Sequence, residues 1–117
     1  MNETLRIAQF VAETRFQDLP FDLIDKAKVF VLDNLASGFV GAEQPWSNMV
    51  ASLASELGGN SEASVFSQKT KLDVSRASLV NGAMIGAFEV EHVGHSAHPG
   101  GTAFPAALAF AEREHLD

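Results

Sequence analysis

The amino-acid sequence predicts an all-α fold of about five helices. Two features predict it: apolar residues recur at the spacing of amphipathic helices, and Asn, Asp, Pro and Gly stand where such helices would begin or end. The 117 residues fit one domain and are enough to bury a hydrophobic core. We therefore expect residues 1–117 to form a single helical domain, with at most one short β segment near residues 63–66.

A Pro-containing break separates the first two helices. Asn2 is a suitable N-cap for the first helix. Pro20 suits the first turn of the second, where its missing N–H costs nothing. The helical period then continues to about Ala42. The apolar surface of this second helix is wide around residues 29–32, which predicts that the helix is central.

The third helix begins at Pro45, and Gly58-Gly59 is expected to end it because glycine readily adopts positive φ. Its inner face is predicted to be formed by four apolar residues: Val50, Leu53, Ala54 and Leu57. The Ala-Ser-Val-Phe segment at 63–66 is expected to be a short strand or an extended loop.

The fourth helix is predicted to begin after an Asp73 N-cap and to run toward Val90. Glycine inside a helix costs about 1 kcal/mol relative to alanine, so Gly82 and Gly86 need a reason. We expect close approach by another helix.

The fifth helix is predicted from Thr102 to His115, with Pro105 in its first turn.

Composition excludes several classes of function. The net charge of −7 argues against nucleic acid or an anionic membrane surface as partner, since both need a basic patch. The absence of Cys excludes disulfides, thiolate nucleophiles and Cys-bound zinc. No apolar run is long enough to span a bilayer, and no signal peptide is visible, so we expect a cytoplasmic protein.

The segment between the fourth and fifth helices has the only dense cluster of chemically active residues. It contains His92, His95 and His98 beside Glu89 and Glu91. One interpretation is an acid/base site, because imidazole exchanges protons near neutral pH and a carboxylate can orient it. A second is a metal site, although the spacing matches no zinc signature. A third is a polar surface loop.

Free N–H groups at the start of the fifth helix extend the acid/base interpretation. Gly100, Gly101 and Thr102 stand there, so their backbone would hold a ligand carboxylate or phosphate. Elsewhere, Asp33 and Asn34 interrupt the apolar second helix, and we expect them to face solvent or to cap a neighbouring element.

Several segments, in order along nearly the whole chain, resemble the N-terminal part of the MmgE/PrpD family. The most specific are an acidic cluster, a His-Pro-Gly turn and a Pro-Ala-Ala-Leu helix. The matching segments are 16–20, 27–38, 77–83, 88–93, 98–101 and 105–109.

The resemblance implies activity on small polycarboxylates. The family includes 2-methylcitrate dehydratase, cis-aconitate decarboxylase and iminodisuccinate epimerase, which move a proton next to a carboxylate without an obligatory metal or organic cofactor. It therefore implies no cofactor and no metal site here. Among these reactions we predict dehydration, of the kind used in propionate catabolism.

The resemblance also assigns roles by position. His98 matches the active-site histidine of the His-Pro turn, and Glu89 and Glu91 match the acidic cluster, so these three are predicted to be catalytic. His92 stands where the family often has a second Asp, and we expect it to bind substrate. Gly100, Gly101 and Thr102 are expected to receive a substrate carboxylate.

Family enzymes are several times longer, so we expect this chain to be an incomplete part of their helical domain. Dimers are usual in the family, and we expect a homodimer or pairing with a C-terminal segment. Two alternatives stay open: a non-catalytic helical module for oligomerisation or interaction, and a metal-binding protein that uses its histidine cluster. Because His98 is predicted to lie in a loop, replacing it by alanine should leave the fold intact.

Overall fold

The computed structural model describes residues 2–94 and 97–116 and confirms the all-α prediction. Within these ranges the chain forms five α-helices, two single turns of 3-10 helix and one small antiparallel sheet. The helices are α1 (Glu3–Glu13), α2 (Phe21–Ala42), α3 (Pro45–Glu56), α4 (Val74–Ile85) and α5 (Pro99–Arg113); the 3-10 turns are Phe16–Asp18 and Gly86–Phe88; the strands are β1 (Ala63–Ser64) and β2 (Lys71–Leu72).

The N-terminal capping predictions are confirmed at two helices. The Asn2 side chain accepts from the Thr4 N–H at 3.0 Å, and the Asp73 side chain accepts from the Arg76 N–H at 3.3 Å. Both bonds satisfy donors that the first helical turn leaves without a backbone partner. Pro20 differs slightly from its prediction, because it directly precedes α2 instead of lying within its first turn.

The central helix is α4, which packs against α2, α3, α5 and both strands. Its buried residues include Val80, Met84 and Ile85. The prediction that α2 is central is wrong: Val29 is 64% exposed and Leu32 is 69% exposed. The α2 residues that are buried are small or polar: Asn34, Gly38, Gly41 and Ala42.

Small side chains decide which faces pack. A Cβ on Gly41 would overlap with the backbone carbonyl of Met84, so glycine is required where α2 crosses α4. The face of α3 follows the same rule, since the helix buries Ser47, Ala51 and Ala54. The predicted inner face is therefore half wrong: Leu53 and Leu57 are exposed, because the close contact uses the smaller neighbours.

The boundary between α4 and α5 differs from the prediction. Helix α4 ends at Ile85, five residues before Val90, and α5 begins at Pro99, so Pro105 lies inside α5 and not in its first turn. A proline there cannot donate to the carbonyl four residues earlier, which belongs to Gly101. That carbonyl faces α4 instead, where a Cβ on Gly82 would lie only 2.6 Å from it.

The close-approach prediction is thus confirmed for Gly82, whereas the approach to Gly86 leaves room for a side chain. Gly86 caps the end of α4, and a Cβ there would meet nothing closer than Glu91 Oε1 at 3.8 Å. An ordinary van der Waals contact of that kind does not require glycine.

The short sheet has a second strand that was not predicted. β1 pairs with β2 in the register Ala63–Leu72 and Ser64–Lys71. The buried Asn81 side chain of α4 fixes the following segment: its amide donates to the Ser64 carbonyl at 2.9 Å, and its oxygen accepts from the Phe66 N–H at 3.0 Å.

Glu112 of α5 fixes the other side of the sheet. Its carboxylate accepts from the Ser64 N–H and hydroxyl, both at 2.7 Å, and from Lys71 Nζ at 2.6 Å. Partial burial raises the pKa of Glu112, but these donors outweigh it and lower the pKa to about 2.

Large apolar side chains remain exposed at the N-terminal end of the chain. Helix α1 has no buried residue, Phe10 is 68% exposed, and Phe21 at the start of α2 is 88% exposed. Even so, within 2–94 and 97–116 no helix has both the length and the apolar character needed to cross a bilayer.

Candidate functional site

The candidate site lies where the chain passes from α4 to α5. After the 3-10 turn Gly86–Phe88, Glu89 adopts a left-handed conformation with φ of 52°. His98 is the N-cap residue of α5. Across this connection Glu91 Oε1 lies 3.1 Å from His98 Nδ1.

The Glu91 carboxylate is buried against the first turn of α5, with its side chain 2% exposed. Gly100 makes room for it, because a Cβ there would lie 3.0 Å from Glu91 Cγ and would overlap with Asn34 Oδ1. A helix N-terminus stabilises negative charge, so this is a favourable place for a buried carboxylate.

Two buried oxygen atoms beside this turn have no hydrogen-bond donor among the residues that the structure describes. They are Glu91 Oε2 and Asn34 Oδ1, and the Asn34 residue is 1% exposed. Buried acceptors without partners are rare in folded proteins and call for an explanation at a candidate site.

The next residue, His92, is held by α2. Its ring stacks on Phe30 with a centroid distance of 4.1 Å and an interplanar angle of 11°. Its backbone N–H donates to Asp33 Oδ2 at 3.1 Å, and its Nδ1 lies 3.7 Å from the same oxygen. His92 therefore faces α2, whereas His98 contacts Glu91.

A shallow, mostly apolar depression of about 230 Å³ lies between α2 and the start of α5. The residues around it include Phe30, Val31, Asn34, His92, Pro99 and Phe104. The depression borders the Glu91–His98 pair: His92 follows Glu91 in the chain and Pro99 follows His98. Asn34 lies beside Gly100, next to Glu91.

The structure brings together four of the predicted site residues: Glu91, His98, Gly100 and Gly101. A Cβ on Gly101 would lie 3.4 Å from Glu91 Oε1. Thr102 is one residue further along α5, is exposed, and donates its hydroxyl to the His98 carbonyl at 2.9 Å.

Glu89 is not brought to this pair in the same way. It is exposed, and the described part of the chain shows no hydrogen bond or ion pair of its carboxylate. Its N–H donates to the Gly86 carbonyl at 3.3 Å, which closes the 3-10 turn. Its observed contribution is to end the 3-10 turn that precedes Glu91.

The metal-site interpretation depends on three histidines. His95 lies outside the described residues. Among 2–94 and 97–116, no group of three His, Asp or Glu side chains is placed to share a metal ion. The other two histidines of the cluster contact different acids, Asp33 for His92 and Glu91 for His98.

Sequence reasoning missed the part played by α2. Asn34 is buried, so the expectation that it faces solvent is wrong; Asp33 is 41% exposed but binds His92. A signal existed: Asn34, Gly38 and Gly41 are spaced four and three residues apart and share one helix face. That face packs because the glycines allow close approach.

An acid/imidazole pair at a helix N-terminus within an all-α domain defines a candidate proton-transfer site. Comparison with protein families supports this class: the family sequence model of the MmgE/PrpD N-terminal domain matches residues 5–117. The chain therefore belongs to the MmgE/PrpD family. This confirms the resemblance predicted from the sequence.

Relatives in this family include named decarboxylases. The chain is 32% identical over 114 residues to the cis-aconitate decarboxylase-like protein oryM of Aspergillus oryzae, covering 95% of this chain. It is 28% identical over 111 residues to cis-aconitate decarboxylase of Aspergillus terreus, covering 93% of this chain. In both cases the chain spans 23% of the relative's length.

Proposed function

We propose that this chain forms the N-terminal helical part of a polycarboxylate lyase or isomerase, in which His98 transfers a proton and Glu91 orients it. The observation that carries the proposal is the 3.1 Å contact between Glu91 Oε1 and His98 Nδ1, made by a carboxylate that is 2% exposed. Family membership and the names of the relatives support the substrate class.

In this proposal the two nitrogens of His98 have different tasks. Nδ1 lies 3.1 Å from Glu91 Oε1, and towards an ionised carboxylate it would donate, which would fix the ring and its tautomer. Nε2 is then the nitrogen that exchanges a proton with a ligand. The side chain is 42% exposed, so a ligand can reach it.

Two reactions of polycarboxylates fit such a group. In dehydration, a base removes the proton next to a carboxylate, and the departing hydroxyl takes up a proton and leaves as water. In decarboxylation, the electron pair of the broken C–C bond passes to the adjacent carbon as CO₂ leaves, and that carbon then takes a proton from an acid. His98 can serve as base or as acid in the dehydration, and as the acid in the decarboxylation.

A substrate carboxylate would be held by the start of α5. Pro99 has no N–H, so the N–H groups of Gly100 and Gly101 are the donors of the first turn. A protonated His98 would offset the repulsion between that carboxylate and Glu91. The Thr102 hydroxyl already donates to His98, so in this proposal Thr102 supports the turn.

The test is an NMR titration of the ¹⁵N-labelled chain, with citrate and cis-aconitate added separately. We expect amide shifts confined to residues 89–102, and no such shifts with acetate at equal ionic strength. Stronger binding of citrate favours the predicted dehydration; stronger binding of cis-aconitate favours decarboxylation, as in the relatives' names. Shifts that are absent, or equal for acetate, would contradict the proposal.

A second function, a non-catalytic interaction module, is supported by a different observation. Phe10 and Phe21 are 68% and 88% exposed, and α1 buries none of its residues. Exposed apolar patches mark interfaces. Light scattering from micromolar to millimolar chain concentration tests it: concentration-dependent dimers or larger species are expected, whereas a monomer throughout would exclude self-association.

A further inference from the structure

Asp33 makes a contact for which the proposed chemistry has no direct use. Its Oδ2 atom accepts from the backbone N–H of His92 at 3.1 Å. That N–H belongs to the segment after the left-handed Glu89, where neither helix nor strand supplies an acceptor. Asp33 therefore satisfies a backbone donor that the fold would otherwise leave unpaired.

The same turn of α2 also holds the His92 ring. Phe30, one turn before Asp33, stacks on the imidazole at 4.1 Å, and Asp33 Oδ2 lies 3.7 Å from its Nδ1. The main chain and the side chain of His92 are thus both fixed by residues three apart on one helix face.

His92 directly follows Glu91, whose carboxylate contacts His98. Fixing the N–H of His92 fixes the peptide group that it shares with Glu91. The direction in which the Glu91 side chain leaves the backbone is then set from α2, while Gly100 leaves it the space to reach His98.

We propose that Asp33 is a positioning residue for His98, acting through His92 and Glu91. Its catalytic importance rests on the proposed function, but its effect on the Glu91–His98 contact does not. A surface ion pair alone would contribute little, since exposed pairs are worth about 0–1 kcal/mol. The accepted backbone N–H, and not the charge, is the feature that matters.

The experiment records long-range ¹H–¹⁵N correlation spectra of the full chain, at a pH high enough for the imidazole to be neutral. These spectra show which nitrogen of His98 carries the proton. Wild type should show the Nδ1–H tautomer, because Glu91 accepts from Nδ1. Asp33→Ala should give a mixture of tautomers and weaken citrate binding about tenfold, because the ligand would then have to order the imidazole itself.

Two further variants act as controls. Asp33→Asn retains an oxygen acceptor for the His92 N–H and should keep the wild-type tautomer. Asp25→Ala removes the same charge from an exposed position of α2, where Asp25 pairs with Lys28, and should also behave as wild type. If Asp33→Ala does not unfold cooperatively, Asp33→Glu replaces it, because the extra methylene displaces His92 without removing the charge.

The outcomes separate this inference from the proposed function. If Asp33→Ala, or Asp33→Glu in its place, keeps the Nδ1–H tautomer, the positioning role is overturned. It is also overturned if wild type lacks that tautomer. Both conclusions hold whether or not a ligand binds. Equal loss of the tautomer in Asp25→Ala would do the same. Failure of wild type to bind citrate or cis-aconitate, with the tautomer changing as expected, would count against the proposed function alone.

Discussion

Glu91 and His98 form a pair of very unequal burial: the carboxylate side chain is 2% exposed and the imidazole side chain 42% exposed. A ligand in solution can therefore meet the imidazole but not the carboxylate. In the proposed chemistry the buried carboxylate could therefore only orient the imidazole. Because Glu91 is buried beside His98, we also expect the pair to affect stability.

Replacing His98 by alanine tests both contributions. The sequence alone predicts an intact fold, but the structure adds that Glu91 would then be buried without its partner. We expect the free energy of unfolding to fall by about 1–3 kcal/mol and citrate binding to be lost. Urea unfolding followed by circular dichroism and the NMR titration measure the two effects.

The double variant His98→Ala/Glu91→Gln is the matched control, since a neutral amide is less costly to bury than a carboxylate. It should recover much of the lost stability without recovering binding. A single variant as stable as wild type would show that the pair is not coupled. Citrate binding by the single variant would show that His98 is not needed to hold the ligand.

Gly82 and Gly86 should respond differently to alanine, although both lie at the C-terminal end of α4 and its cap. A methyl group on Gly82 would lie 2.6 Å from the Gly101 carbonyl, so we expect a loss of about 1–3 kcal/mol. At Gly86 the nearest contact is 3.8 Å, so alanine should be neutral or stabilise by up to about 1 kcal/mol. Similar unfolding midpoints in urea would contradict the packing of α4 on α5.

Replacing Glu89 by glycine should stabilise the folded chain. Its φ of 52° costs a residue with a side chain about 1–2 kcal/mol, and glycine avoids this cost. We expect Glu89→Gly to raise the free energy of unfolding by about 1 kcal/mol, with Glu89→Gln close to wild type. Loss of citrate binding in both variants would support the predicted catalytic role of Glu89; retained binding would limit it to the turn.

Because of Glu112, the free energy of unfolding should fall as the solution is made acidic. Its pKa is about 2 in the folded chain against an ordinary 4.5, so the folded state favours the charged form. The contribution is fully present above about pH 4.5 and is lost as pH falls through 4.5 toward 2.

Glu112→Gln should therefore destabilise the chain at pH 7, by about 1 kcal/mol after allowance for solvent screening. The difference from wild type should shrink as pH falls and vanish near pH 2, as measured by thermal unfolding at a series of pH values. A difference independent of pH would show that the bonds of Glu112 to Ser64 and Lys71 do not depend on its charge.

The local signals of the sequence determined much of the fold. Asn2 and Asp73 begin their helices as predicted, and α2 ends at Ala42, because capping and helical periodicity act between residues close in the chain. The family was also identified from motifs in order along the sequence. The Glu91–His98 pair could be named in advance, since both residues belong to one short segment.

Tertiary structure decided which faces pack and what surrounds the pair. A periodic pattern marks an apolar face but not its partner, and α2 meets α4 through Gly38 and Gly41 while Val29 and Leu32 stay exposed. Asn34 and Asp33 lie at the site although they are distant from it in the sequence; Asp33 and His92 are separated by 59 residues. No local rule reaches that far: burial and orientation depend on how the helices cross, and small residues set where they can.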